Sequence, residues 1–273
     1  MTTVLVTGAT GLVGSRLLPR LVDAGLYCRA LLRREAADLP AGVIGVRGDL
    51  ADPGSLREAV EGVDAVIHLA AVFRTDDEDA IWRANRDGTR HLTQAVSAHA
   101  PQARVVLAST SNVYDADANR PGREDDTVNP TAPYPASKLA AEALLRDSDL
   151  TWSILRLPFV YGDGDGHLEM IPALAPRLGL HPAHTYSVAH HRDIAVAFRL
   201  ALTGVMDHRI VNITDDAPVT VYEMAAYAGN PIEGSAEPLT NPWAGRMDGS
   251  LARELGFSPT VPTIHAAARE GIL

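Results

Sequence analysis

In the first half of the chain, short uninterrupted apolar runs alternate with longer stretches in which every third or fourth position is apolar. The runs Thr3–Thr7, Tyr27–Leu32, Val43–Val46, Ala65–Leu69, Arg104–Ala108 and Trp152–Leu157 predict strands. The amphipathic stretches Leu12–Ala24 (closed by Gly25), Ser55–Glu61, Ala80–Ala98 and Pro135–Arg146 predict helices. Continuous apolar strands separated by helices are buried on both faces, which specifies a doubly wound parallel α/β sheet. After Leu157 the rhythm loosens. Gly162-Asp163-Gly164-Asp165-Gly166 reads as a loop, and helices are predicted near Leu168–Leu178, Arg192–Thr203 and Val221–Ala228, with one strand around Ile210–Ile213. Pro and Gly then cluster between Gly229 and Gly245, so residues 163–273 read as a small mixed α/β cap on the sheet edge, following a sheet-forming domain over residues 1–162.

Composition narrows the partners. The 273 residues carry 24 Lys plus Arg against 34 Asp plus Glu, a net charge of −10, which repels phosphate backbones and anionic membranes. No apolar run approaches the ~20 residues of a membrane span. The opening Met1-Thr2-Thr3-Val4-Leu5-Val6 lacks the basic and then long apolar segments of a signal peptide. The lone Cys28 fits a reducing compartment. The expectation is a cytoplasmic protein acting on a small molecule, with no nucleic-acid or membrane partner and no metal.

The first strand runs into Thr7-Gly8-Ala9-Thr10-Gly11-Leu12-Val13-Gly14. At a strand-to-helix junction such glycines have separate tasks: Gly8 for a tight turn, Gly11 for close approach of backbone to a pyrophosphate, Gly14 for close helix–strand packing. The helix N-terminus, including Thr10, Leu12 and Val13, then faces the phosphates. The second strand ends Ala30-Leu31-Leu32-Arg33-Arg34, with no carboxylate until Glu35. That favours NADP over NAD, with Arg33 as the first clamp of a 2′-phosphate and Arg34 as the second. Asp49, followed by Leu50 after the third strand, is placed to accept from an adenine amino group.

Two further segments carry chemistry. The fifth strand ends in Ser109-Thr110-Ser111-Asn112-Val113-Tyr114, and later comes Tyr134-Pro135-Ala136-Ser137-Lys138. Residues four apart share a helix face, so Lys138 stacks one turn from Tyr134. Pro135 suits a first helical turn and puts Tyr134 at its entrance. A nearby ammonium favours the phenolate, so Lys138 is expected to lower the pKa of Tyr134 toward the working range of a proton-transfer group. A hydroxyl from Thr110 or a neighbour would hold the substrate oxygen.

Seven motifs in order make the chain resemble the extended short-chain dehydrogenase/reductase family, the NAD(P)-dependent epimerase/dehydratase group. They are the glycine turn, Asp49-Leu50, His68-Leu69-Ala70-Ala71, Asn85-Arg86-Asp87-Gly88-Thr89, the Ser109–Tyr114 run, Tyr134 with Lys138, and Arg156-Leu157-Pro158-Phe159-Val160-Tyr161-Gly162. The resemblance implies a Rossmann fold, with Thr110 orienting the substrate oxygen and Tyr134 as acid/base. Lys138 would also bind the nicotinamide ribose. It further implies that Leu69, Ala70 and Ala71 pass under the cofactor, that Pro158, Phe159 and Val160 border the nicotinamide, and that Asn85 supports the site. Helices Ala80–Ala98 and Pro135–Arg146 would pair in a homodimer, with a monomer the alternative.

Two positions depart from the family pattern. The V-Y-G run reads Val113-Tyr114-Asp115. Phe159 stands where nucleotide-sugar enzymes commonly carry an asparagine, and it cannot donate that hydrogen bond. With Arg177 and Arg192 as the main later cations, the expectation is an NAD(P)-dependent oxidoreductase acting on a hydroxyl or carbonyl carbon of a less charged molecule. A nucleotide-sugar epimerase/dehydratase is the first alternative and a non-catalytic NAD(P)-binding redox sensor the second. Other features have plainer readings. His181, His184, His190 and His191 match no zinc spacing and read as loop or pocket residues; Asp163-x-Asp165-Gly166 reads as a turn and Glu124-Asp125-Asp126 as a solvated loop. Arg192-Asp193 reads as a helix cap, and Trp152 and Phe198 as core.

Overall fold

The computed structural model describes residues 2–34 and 38–273; Met1 and Glu35, the first carboxylate after the second strand, lie outside the described residues. The strands in chain order are β1 (Thr3–Thr7), β2 (Tyr27–Leu32), β3 (Val43–Arg47), β4 (Ala65–His68), β5 (Arg104–Thr110), β6 (Trp152–Leu157), β7 (Phe159–Tyr161), β8 (Thr185–Tyr186), β9 (Val188–His190), β10 (Arg209–Asn212) and β11 (Val219–Thr220). Seven of them form one sheet in the order β10-β6-β5-β4-β1-β2-β3. Every pairing in it is parallel, with Val4 opposite both Cys28 and Ala65 and Thr110 opposite Leu157. The order reverses at β1/β4, the crevice where open α/β sheets bind ligands.

The helices are α1 (Gly14–Asp23), α2 (Arg57–Val60), α3 (Glu78–Trp82), α4 (Gly88–His99), α5 (Pro133–Arg146), α6 (Ile171–Arg177), α7 (His191–Leu202), α8 (Val221–Tyr227), α9 (Ser250–Glu254) and α10 (Ile264–Glu270). Alternation along the strands sends Val4, Val6 and Ile67 to one face, where Leu17, Leu21 and Phe198 of α1 and α7 cover them. Leu5, Val66 and Leu107 face the opposite side, under α2, α4 and α5. Trp152 and Phe198 are both buried core residues. A third apolar cluster joins Tyr161, Leu168, Ile171, Val188, Val221, Met224 and Ile264.

Three local expectations change. Ala80–Ala98 is α3 and α4 joined by a π-helical turn over Arg83–Asp87, which turns Asn85 inward; such turns recur at functional sites. The late strand, expected within the cap, is β10 at the edge of the main sheet, and α7 packs on the same core as α1. Residues beyond 162 therefore return to build the sheet's edge and one of its faces. At the start of α7 the cap is the His190 ring, which accepts from the Arg192 amide at 3.1 Å. Asp193 instead accepts from the Thr260 amide and hydroxyl and the Val261 amide, tying the C-terminal segment to α7.

Candidate active site

The glycine turn is fixed by contact distances. Gly8 has φ +67°, and a Cβ on it would sit 2.7 Å from the Ala70 amide nitrogen. A Cβ on Gly14 would sit 2.2 Å from the Gly8 carbonyl oxygen, so side chains there would push α1 off β1. The first turn of α1 has no acidic residue and no side-chain cap, and Thr10 and Gly11 are exposed beside half-buried Leu12 and Val13. Exposed backbone at the positive end of a helix suits a pyrophosphate, so these residues fit a dinucleotide. Arg33 and Arg34 are exposed at the bend after β2. Asp49 is half-buried at the end of β3, where its Oδ1 accepts from the Ala51 amide at 2.9 Å. The Leu50 carbonyl is held at 2.7 Å by His91 on α4. Leu69, Ala70 and Ala71 leave β4 over the Gly8 turn, with the Leu69 amide 3.2 Å from the Thr7 carbonyl.

Thr110 ends β5, and its Oγ1 accepts from the Asn112 amide at 3.2 Å. Its hydroxyl lies near enough to Tyr134, in the first turn of α5, to pull the phenol's pKa down. Lys138 lies one turn further and is 2 % exposed. Burial pushes the Tyr134 phenol above its ordinary range, and Thr110 only partly reverses this. The expected lowering of the phenol is therefore not met: removal from water outweighs what its neighbours give back. Burial also lowers Lys138 to about 8, opposed by the charge of Glu142.

Behind the pair runs a polar relay with a readable direction. The Ala70 amide donates to Thr7 Oγ1 (3.3 Å), and Thr7 Oγ1 lies 2.6 Å from His68 Nδ1. His68 Nε2 lies 3.0 Å from Thr89 Oγ1, which donates to the Asn85 carbonyl. Because Thr89 gives its proton to a carbonyl, it accepts from His68, which assigns the histidine proton to Nε2. Burial, then the Lys138 charge, push His68 down to about 3, so it is neutral. Asn85 grips the Val72 amide and carbonyl at 2.8 and 2.9 Å and donates to Ser137 Oγ at 2.9 Å. Ser137 in turn donates to the Tyr134 carbonyl at 2.7 Å.

A second buried chain supports Lys138. Glu142, one turn beyond it, accepts from Ser109 and from Arg156 Nε and NH2, the latter at 2.8 Å. Arg156 also donates to the Tyr114 hydroxyl, which donates to Asn212 of β10. Glu124, expected in a solvated loop, is half-buried and accepts from the Asn212 amide at 2.8 Å. His68, Glu142, Arg156 and Asn212 had no assigned role in the sequence; the signal was a polar residue inside an apolar strand or one turn from Lys138.

On the cap side, Pro158 is buried and Phe159 stacks on His167, with centroids 4.1 Å apart and planes at 17°. Val160 is buried and its carbonyl is bound by His167 Nδ1 at 2.8 Å. The other candidate histidines differ in kind. His190 and His191 are buried, the latter 2.8 Å from Asp165 in the glycine loop, while His184 packs edge-on to Tyr186. Arg192 faces Asp163 at 3.9 Å, and Arg177 is exposed at the end of α6. Among the described residues there is no group of three or more metal-ligating side chains, and no helix is long and apolar enough to cross a membrane.

A sequence profile of the NAD dependent epimerase/dehydratase family matches residues 4–214. The chain is 33% identical over 217 residues to a ceramide reductase of Caulobacter vibrioides (strain NA1000 / CB15N), an alignment covering 75% of this chain and 63% of that protein. It is 34% identical over 151 residues to a UDP-glucose 4-epimerase of Streptomyces lividans, covering 52% of this chain and 46% of the epimerase. The matches thus span about half to two thirds of the length of these curated relatives. Among solved structures, MoeE5 in complex with UDP-glucuronic acid and NAD superposes with a TM-score of 0.78 at 27% identity, covering 98% of this chain and 99% of that one.

Proposed function

The chain belongs to the NAD dependent epimerase/dehydratase family, and on that premise we propose that it is a nicotinamide-dependent oxidoreductase that interconverts a carbonyl and a hydroxyl on a small molecule. The observation that carries this reading is that Tyr134 stands near Thr110 with buried Lys138 one turn on, its backbone held by Asn85 through Ser137.

When bound, the dinucleotide supplies or takes up hydride at its nicotinamide C4. Gly8, Gly11 and the α1 terminus would hold its pyrophosphate, and Asp49 and Leu50 would border the adenine. Thr110 donates to the substrate oxygen and fixes its position over Tyr134. Tyr134 gives its phenolic proton to that oxygen in the reductive direction and takes it back in the oxidative one. The raised pKa keeps the phenol protonated at neutral pH, ready to act as an acid. The buried Lys138 ammonium then steadies the phenolate left behind. Pro158, Phe159 and Val160 close the face of the site away from Leu69–Ala71.

The end of β2 favours NADP: Arg33 and Arg34 are exposed there, each offering a donor fork for a 2′-phosphate. Titration with NADPH and NADH reads this directly. Tighter binding of NADPH, lost in Arg33→Ala, is expected; tighter NADH binding in the unaltered protein overturns it. A second copy of the chain would dock along α4 and α5.

The likeness to MoeE5 and its UDP-sugar supports a second reading, a nucleotide-sugar epimerase or dehydratase in which hydride returns to the same substrate. The two separate on one assay. Incubation with reduced dinucleotide and a ketone panel is expected to consume the cofactor stoichiometrically. Conversion of UDP-glucose with no net cofactor change selects the second reading.

A further inference from the structure

Aromatic rings gather in two places, beside Tyr134 and on the cap. Phe73, in the loop after β4, lies 5.4 Å from the Tyr134 ring, and the Arg74 guanidinium sits 4.7 Å over the Phe73 ring. On the cap the Phe159–His167 stack is flanked by Tyr186, 6.4 Å from Phe159. Phe159 follows two residues after Leu157, which pairs with Thr110, so it leaves the sheet at the same C-terminal end of the strands as the hydroxyl of Thr110. Tyr186 is held from behind: a Cβ on Gly245 (φ +79°) would meet its ring at 3.0 Å. His167 gives its Nδ1 proton to the Val160 carbonyl, and burial with the nearby Arg74 charge keeps it below its ordinary pKa. It is thus a neutral plate, which lets Arg74 remain beside it without repulsion.

Exposed Arg74, packed on exposed Phe73, is close enough to the half-buried stack for its charge to act on His167, so the two sets of rings flank a region that carries this cation. A single planar fork matches one carboxylate; a diphosphate, with more charge to neutralise, calls for several. Arg192 is turned instead toward Asp163. We propose that the substrate is an aryl or similarly planar conjugated carbonyl compound bearing a carboxylate, its ring between Phe73 and the Phe159–His167 stack and its carboxylate on Arg74. This rests on the carbonyl/hydroxyl reading above and names its substrate class. The reaction is balanced as ketone plus hydride from the reduced dinucleotide plus a proton from Tyr134, giving the secondary alcohol and oxidised dinucleotide; the tyrosine is reprotonated from solvent.

Equilibrium binding with saturating oxidised dinucleotide tests the class without turnover. The probes are 3-oxo-3-phenylpropanoate, acetoacetate (no ring), acetophenone (no carboxylate) and UDP-glucose. The aryl acid is expected to bind at least about tenfold tighter than each of the others, the scale of one charge-assisted bond or one stacked ring. Arg74→Gln should remove the advantage over acetophenone and leave acetophenone unchanged. Phe159→Leu should loosen both aryl ligands and spare acetoacetate. Equal or tighter binding of acetoacetate or UDP-glucose, binding of none, or silence of both substitutions overturns the proposal. Selective binding without oxidation of reduced dinucleotide would break the reaction assigned above and leave the class standing. Turnover of acetoacetate as efficient as that of the aryl acid would do the reverse.

Discussion

The two walls of the site are held by different physics. On the sheet side, Tyr134 and Lys138 are anchored by directional bonds: Asn85 through Ser137 to the Tyr134 backbone, and Glu142 locked between Ser109 and Arg156. On the cap side, Phe159, His167 and Tyr186 meet ring to ring with few hydrogen bonds between them. Proton transfer fails with small displacements, so its groups are tied by bonds with a preferred angle. A ring stack tolerates sliding, so this wall can change its ligand without disturbing the chemistry. On the proposed function, this division makes substrate choice and catalysis separable.

The largest effect tests the anchoring. Glu142→Gln leaves Arg156, 2 % exposed, without its counter-charge, and should cost about 3–5 kcal/mol in urea unfolding. The double variant Glu142→Met with Arg156→Leu should recover most of that, because the loss comes from an uncompensated charge rather than from the pair. Recovery of none would show that the pair itself holds the wall. Next, Asn85→Ala strips three bonds from Val72 and Ser137. We expect about 1–3 kcal/mol of destabilisation together with a lower kcat and unchanged dinucleotide affinity. Loss of dinucleotide affinity with kcat intact would place Asn85 on the cofactor rather than on Tyr134.

A third test sets two buried titratable groups against each other by pH. His68 stays neutral down to about 3 in the folded protein, whereas the unfolded chain takes up that proton near its ordinary value of 6.5. Stability should therefore fall as pH drops from about 6.5 toward 3, and His68→Gln should flatten that slope. Asp215, just after β10, has a buried unpartnered Oδ2, and burial raises its carboxyl to about 8. The folded protein then holds a proton that the unfolded chain has released, so stability should fall as pH rises from about 4 to 8. Asp215→Asn should flatten this opposite slope. Urea midpoints across pH measure both, and a single shared slope would contradict the contrast.

Much of the sheet was legible because each of β1 to β6 is an apolar run bounded by polar residues, and the glycine turn and Tyr134–Lys138 pair are local in sequence. β10 was visible as a strand, but nothing local says that Ile210 pairs with Ile154 rather than within the cap. The short elements β7, β8, β9, β11 and α9 are too brief to show a period. The supports of the site were hidden for a related reason: Asn85 meets Ser137 across 52 positions and Tyr114 meets Asn212 across 98. The raised pKa of Tyr134 was not legible because the helix spacing puts Lys138 one turn on but says nothing of how much water the phenol loses.

The central claim is that Tyr134 moves the proton while the rest of the sheet wall only holds it in place. Steady-state turnover of Tyr134→Phe, followed by nicotinamide absorbance beside a dinucleotide titration, tests it most directly. The account predicts a kcat lower by about 10²–10⁴-fold with dinucleotide affinity unchanged. Turnover equal to that of the unaltered protein would contradict it.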